Sequence, residues 1–312
     1  MDPRETAELS VEVRPIDEPA RGGELEALLN ASFKVPLGSS YFDDFPVWDP
    51  VHAADIVRLG AFTLDGKLTS AACLRFAKIR GQTREIPVGI LGSVATGEAW
   101  RGKGYASLVL EDLIKGADRR GLEAIFLWGS EHSLYERFGF GLCGIQGRAP
   151  IAQLPRAALS TQLKLRTGWH PVISNLLRLR SGGLLLSERD LAWIGAHKNI
   201  AWYWITGANN EPLAFAAYGK GIDLPGMIHE WGAKTQNDFR ALLTAMVAYH
   251  GQAEILGPPA ALRDLGFPDN AITQEHLCLA RVRATETPAQ YFGEPGGSSA
   301  REPIWLWGLD SA

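Results

Sequence analysis

Residues Val94 to Ala106 read VATGEAWRGKGYA. An apolar run from Ile86 to Ala95 stops at Thr96, and a polar turn follows. From there the apolar residues change period: Ala106, Leu108, Val109, Leu113 and Ile114 recur at helical spacing. Gly102 and Gly104 therefore stand where a strand passes into a helix. The first turn of a helix carries unpaired backbone N–H groups and the positive end of the helix dipole. Glycine lets that backbone approach a ligand, so the place suits an anionic phosphate. Arg101 and Lys103 add positive charge there. A glycine-rich turn with solvated basic side chains would use the same residues, and two common phosphate loops, GxxxxGK[ST] and a full GxGxxG, are absent.

A second stretch decides between these readings. Ala124 to Phe140, AIFLWGSEHSLYERFGF, reads as a strand to Trp128, a turn, a short helix carrying Tyr135, and then Gly139-Phe140. Arg101-x-x-Gly104-x-Ala106 and Tyr135-x-x-x-Gly139-Phe140, in this order with one long helix between them, resemble the signature of the GNAT superfamily of acyl-CoA-dependent N-acyltransferases. The close resemblance covers about the first half of the chain.

The elements around these motifs follow from period and turn chemistry. Val11 to Arg14 alternates as a half-buried strand, and Leu25, Leu28, Leu29 and Phe33 share one helical face. Ser39 to Pro50, aromatic and acidic, reads as a loop. Asp55 to Leu64 and Leu68 to Phe76 form a hairpin about Asp65-Gly66-Lys67, and Gly81-Gln82 marks another turn. Gly121 ends the motif helix as a C-terminal cap. Gly141 to Ile151 makes a further strand.

Beyond a link at Pro150 to Pro155 the order repeats. Leu163 to Arg166 resembles Val11 to Arg14, with Leu176, Leu177 and Leu179 on a helix after it. Ala201 to Thr206 and Leu213 to Tyr218 form a second hairpin, Met227 to Gly232 a strand, and Asp238 to Tyr249 a helix. Ala253 to Phe267 echoes Ala124 to Phe140. The repeat has lost its motifs: Ala233 to Asp238 contains no glycine, Asp238 places negative charge near a helix N-terminus, and Leu262 stands where Tyr135 stood. The sequence thus predicts an α+β chain of two GNAT-like mixed-sheet domains in tandem, with helices on both faces of each sheet. Residues 1–152 are the catalytic domain, 153–285 a degenerate copy, and 286–312 a loop with Pro295 and Gly296-Gly297 and a terminal strand on which Trp305 and Trp307 point the same way.

Composition fits this reading. A length of 312 residues favours two domains. A net charge of −4 with no long basic block gives no footing for nucleic acid. Cys73, Cys143 and Cys278 are odd in number, widely spaced and set in apolar runs, so they read as buried thiols of a reducing cytosol and not as disulfides or metal ligands. The N-terminal MDPRETAELS has no signal-peptide core, and no apolar run is long enough to span a membrane. The expected location is cytoplasmic; oligomeric state is left open.

The resemblance implies a site and a reaction. Backbone N–H groups of Arg101, Gly102, Lys103, Gly104, Tyr105 and Ala106 would hold the CoA pyrophosphate. The strand edge at Ser93, Val94 and Ala95 would pair with the pantetheine arm. Acetyl-CoA is then the cosubstrate, with no metal, and an amine-bearing small molecule or peptide takes the acetyl group. Tyr135 is the expected general acid, since a phenol with an ordinary pKa near 10 is protonated at neutral pH; packing on a half-buried helix is its alternative role. Glu98, just before the glycine loop, is the nearest acidic candidate for the base, although it can equally face solvent; a water chain would also serve. Glu131 and His132 fit the first turn of the Tyr135 helix, with Ser130 as its cap. Asp43 and Asp44, in the aromatic loop Ser39 to Pro50 that should border the acceptor cleft, are candidates to bind a cationic amine. Many members of the family have an asparagine near the start of the Tyr-bearing helix that contacts CoA; none lies between Ala124 and Tyr135. The competing reading is a non-catalytic acyl-CoA-binding sensor or scaffold.

Overall fold

In the computed structural model β1 (Val11–Pro15) leads into α1 (Gly22–Ser32) and a short α2 (Tyr41–Asp44). A meander of β2 (Ile56–Thr63), β3 (Leu68–Arg80) and β4 (Glu85–Thr96) follows, then α3 (Tyr105–Arg119), β5 (Ala124–Leu127), α4 (His132–Glu136) and β6 (Gly141–Pro150). The second half contains β7 (Lys164–Thr167), α5 (Ile173–Leu177), α6 (Glu188–Ile194), β8 (Ala201–Thr206), β9 (Pro212–Tyr218) and β10 (Met227–Ala233). It closes with α7 (Gln236–His250), β11 (Glu254–Gly257), α8 (Pro259–Asp264), β12 (Thr273–Val282) and α9 (Pro288–Phe292). The structure describes residues 11–16, 22–50, 55–81, 83–156, 163–178, 180, 182–293 and 304–311. Met1 to Ser10, Gln82, Leu179 and Pro295 to Gly297, on which parts of the sequence reading fall, lie outside them.

The strands form one large mixed sheet in the order β1-β2-β3-β4-β5-β12-β6-β11-β10-β9-β8-β7. Alternation on the strands explains why helices cover both faces. On β3, Ala71 and Cys73 join Leu25 and Leu29 of α1 in one core, while Ala72 and Leu74 join Val109, Leu110 and Leu113 of α3 in another. On β9, Phe215 and Ala217 share a core with Ile173 and Leu176 of α5, and Ala214 and Ala216 share one with Phe239 and Leu242 of α7.

The centre of the sheet is exchanged between the halves. A boundary at residue 152 assigns β6 to the first half, yet β6 pairs antiparallel with β11 and β12, and β5 receives β12 at Leu127↔Leu279. Each half-sheet is therefore completed by the last strand of the other. Cys143 on β6 faces Cys278 on β12, with the two reduced sulfurs 3.9 Å apart and buried.

Three local expectations change. Ser39 to Pro50 contains a helical turn, because Ser40 and Asp43 make a reciprocal capping box around α2. Ser130 does not cap α4; Glu131 occupies that position without a side-chain hydrogen bond. Residues 304–307 are not a strand. Trp305 and Trp307 are buried and pack in a T-shaped contact with centroids 5.4 Å apart. Gly121, with φ 75°, follows α3 and donates its N–H to the Asp118 carbonyl, as a C-terminal glycine does.

Candidate active site

The site begins with a strand that bends away from its neighbour. β4 pairs in parallel with β5 only from Val88↔Ala124 to Ile90↔Phe126. Opposite β3, the register jumps from Cys73↔Gly92 to Ala71↔Ala95, so Ser93 and Val94 together face one residue. Such a bulge bends its strand and increases the local twist. Ser93 sits at φ 54°, a left-handed conformation uncommon outside glycine. It is buried, and its Oγ donates to the Tyr41 hydroxyl at 3.3 Å. On the β3 side Ser70 Oγ donates to the Ala95 carbonyl at 2.8 Å. The result is a wedge between the second half of β4 and the segment after β5.

The glycine turn lies just past the wide end of that wedge. Gly102 and Gly104 both have positive φ, and Gly104 precedes α3 in the left-handed region. The first helical bond runs from Leu108 N–H to the Gly104 carbonyl at 3.3 Å, so the N–H groups of Tyr105, Ala106 and Ser107 precede the helical ladder. No side chain caps this end. Space is open around both glycines. Arg101 is tied back to the Thr96 carbonyl at 3.3 Å, and Lys103 lies 4.5 Å from the centre of the Trp100 ring.

A cavity of about 770 Å³ occupies the wedge. Leu91 to Thr96 and Arg101 form one wall, and Leu127 to Glu131 with Tyr135 form the opposite one. Tyr135, on α4, is buried and reaches back under Gly129, where an added Cβ would stand 3.1 Å from the ring. Burial, with a smaller contribution from the nearby Glu131 charge, pushes its phenol up to about 12. The hydroxyl is therefore a proton carrier over the whole neutral range.

The structure brings Ser93, Val94, Ala95, Arg101 and Tyr135 to one cavity. Gly102, Lys103, Gly104, Tyr105 and Ala106 continue from its Arg101 end as the mouth of α3. Glu98 is not brought there: it is exposed on the 3-10 turn Glu98–Trp100 and does not line the cavity. Glu131 lines the cavity, whereas His132 does not. Asp43 and Asp44 are also engaged elsewhere. Asp43 Oδ1 pairs with Lys198 at 2.6 Å. The buried Asp44 accepts from Asn199 Nδ2 at 2.5 Å and from the Ile222 N–H at 2.9 Å.

Sequence reading placed the far wall only in part, through the aromatic loop Ser39 to Pro50. Phe33, Tyr41 and Phe45 line it, with Tyr41 stacked on Phe45 at 4.6 Å and 4.8 Å from Phe33. Ile222, Asp223 and Ser311 join them from the second half of the chain. No local motif marks these three, since they come from the turn between β9 and β10 and from the C-terminal segment, both more than a hundred residues from the glycine turn. Among the described residues no cluster of His, Cys, Asp and Glu is arranged to hold a metal ion, and no helix is long and apolar enough to cross a membrane.

The corresponding wedge in the second half is filled. β10 pairs with β11 only at Met227↔Glu254 and Ile228↔Ile255. Beyond that, Trp231 lies across the gap, donating its indole N–H to the Leu256 carbonyl at 2.7 Å and stacking on Phe239 at 4.6 Å. The α7 end is closed as well, because Thr235 Oγ accepts the Asp238 N–H at 3.1 Å.

Comparison with known proteins agrees with this fold. Residues 24–143 match the acetyltransferase (GNAT) domain family. A probable N-acyltransferase from Enterococcus faecalis V583 is similar in fold, with TM-score 0.64 and 16% identity over 90% of this chain and 73% of that one. A GCN5-related N-acetyltransferase from Kribbella flavida gives TM-score 0.63 and 17% identity over 93% and 75% of the two chains. Another, from Anabaena variabilis, gives TM-score 0.63 and 13% identity over 87% and 73%. No curated protein matches the sequence.

Proposed function

Because the chain carries a GNAT acetyltransferase domain in its first half, we propose that it moves an acetyl group from acetyl-CoA to a primary amine by direct attack. The observation that carries this reading is that the bulged edge of β4, the uncapped mouth of α3 and the Tyr135 hydroxyl adjoin one cavity.

In this reading the pyrophosphate sits on the N–H groups at the start of α3, where the backbone partial charges favour an anion. The pantetheine amides add to the free edge of β4 as a short strand. A backbone N–H from the bulge polarises the thioester carbonyl as charge develops on its oxygen. The amine, once neutral, attacks the carbonyl carbon; the C–S bond breaks, the departing thiolate takes the Tyr135 proton, and the second nitrogen proton, lost as the amide forms, returns to the Tyr135 oxygen through cavity water. The ammonium proton leaves to water in the cavity, and Glu98 is given no step. Three buried, reduced thiols support a cytoplasmic location.

Thiol release from acetyl-CoA, measured with a panel of primary amines, tests the proposal. The expected result is amine-dependent release by the native protein that falls about a hundredfold or more in Tyr135→Phe, the scale of general acid catalysis. CoA binding without release for any amine would instead favour a non-catalytic CoA-binding protein.

A further inference from the structure

Among the described residues the far wall of the cavity contains one carboxylate, and the second half of the chain puts it there. Asp223 lies in the turn between β9 and β10, where Gly219, Gly221 and Gly226 all take positive φ. Asp44 of the first half docks this turn. A Cβ on Gly221 would overlap the Asp44 carboxylate, which also accepts the Ile222 N–H at 2.9 Å. The next residue is Asp223. Its side chain is 31% exposed and lines the cavity, whereas its neighbour Lys220 is fully buried.

Lys220 fixes the carboxylate from behind. Its Nζ donates to Asp223 Oδ2 at 3.2 Å, to the Gly308 carbonyl at 3.0 Å, and to Ser311 carbonyl and Oγ, both at 3.1 Å. Among the described residues the Asp223 carboxylate makes no other side-chain hydrogen bond, so Oδ1 is left for a ligand. The rings of Phe33, Tyr41 and Phe45 line the same cavity, with Lys220 Nζ 4.7 Å from the centre of the Phe45 ring. A fixed anion next to aromatic surface suits an organic ammonium with an apolar body. It disfavours a ligand that carries its own carboxylate next to the amine, because two like charges would then share a part-buried site.

We infer that Asp223 is the residue that binds the acceptor's ammonium group, and that the acceptor is an arylalkylamine or similar apolar amine without an adjacent carboxylate. The inference rests on the transferase reading above for the word acceptor, and its test is a binding measurement that does not need turnover. The second half is then more than a support for the fold: it completes the acceptor site of the first.

Calorimetric titration of the full chain with phenethylamine and with phenylalanine, in the presence of CoA, measures this. The two ligands share one body and differ by the carboxylate. Phenethylamine should bind the native protein about tenfold or more tightly than phenylalanine, and Asp223→Asn should lose about tenfold in phenethylamine affinity, the scale of a hydrogen bond to a charged group. Asp223→Asn should also shrink the preference between the two ligands and leave CoA affinity unchanged. Asp223→Glu should restore part of the phenethylamine affinity, which separates loss of the anion from loss of folding. Equal phenethylamine affinity in native and Asp223→Asn proteins, absence of phenethylamine binding, or equal affinity for both ligands would overturn the inference. Thiol release with other amines in those circumstances would leave the transferase reading standing.

Discussion

Tyr135 and His229 show how burial sets what a titrating side chain can do. The Tyr135 phenol, held near 12 chiefly by burial, stays protonated from pH 6 to 9. The rate–pH profile over that range should therefore contain no limb that disappears in Tyr135→Phe, even though the variant is slow. CoA affinity should be the same in both, because the role proposed for Tyr135 is at the leaving sulfur and not at the phosphates. His229 is the opposite case. It is fully buried, its Nε2 donates to the Gly219 carbonyl at 2.9 Å, and burial, aided by the Lys220 charge, pushes its imidazole down to about 3 from an ordinary 6.5. A depressed pKa stabilises the fold above 6.5, and that stabilisation is lost as pH falls toward 3. Between pH 7.5 and 4.5 the native protein should lose on the order of 2 kcal/mol that His229→Gln does not lose. Thermal melts of both proteins across that range check this; parallel curves would remove His229 from the acid sensitivity. Neither His229 nor Asp223 could be singled out from sequence. Histidine and aspartate are ordinary surface residues until a particular strand and loop enclose them, whereas Gly104 and Tyr135 belong to short motifs whose spacing is itself the geometry.

At the scale of single elements, two wedges built on the same plan have opposite fates. The start of α3 follows two left-handed glycines and has no cap; the start of α7 is capped by Thr235, and Trp231 fills the gap beside it. Gly104→Glu should abolish CoA binding measured by calorimetry. It puts a side chain at φ 80° and a negative charge where the phosphates are expected. Native-like affinity in that variant would show that the anion sits elsewhere. The absence of glycines before α7 was legible in the sequence, as was the acidic Asp238 at that helix start. The indole plug was not, because a tryptophan on a strand reads as core until its neighbour's unpaired carbonyl is located. The short α2 escaped for a different reason: its aromatic and acidic residues suggested a loop, while the Ser40–Asp43 capping box is a two-residue signal within it.

For the whole molecule, the exchanged strands decide what counts as a folding unit. Leu277 and Ala280 of β12 share a core with Phe126 of β5, and Leu256 of β11 pairs with Arg148 of β6. Sequence order placed β6 with the first half because it follows directly, and nothing in an alternating strand names its partner. A fragment of residues 1–152 would expose the β5 edge that β12 covers and leave β6 without either neighbour. An uncovered edge of this kind invites pairing between chains. The 1–152 fragment should therefore be aggregated or oligomeric in size-exclusion chromatography. Residues 1–139 joined by a short linker to 272–283, which restores the β5–β12 pair, should be monomeric and show cooperative unfolding. Both fragments would also lack the 219–226 turn, so even the folded one should bind CoA but discriminate poorly between phenethylamine and phenylalanine. A monomeric, cooperatively unfolding 1–152 fragment would mean that β6 can turn back onto β5, and that the exchange is a choice between two pairings of similar energy.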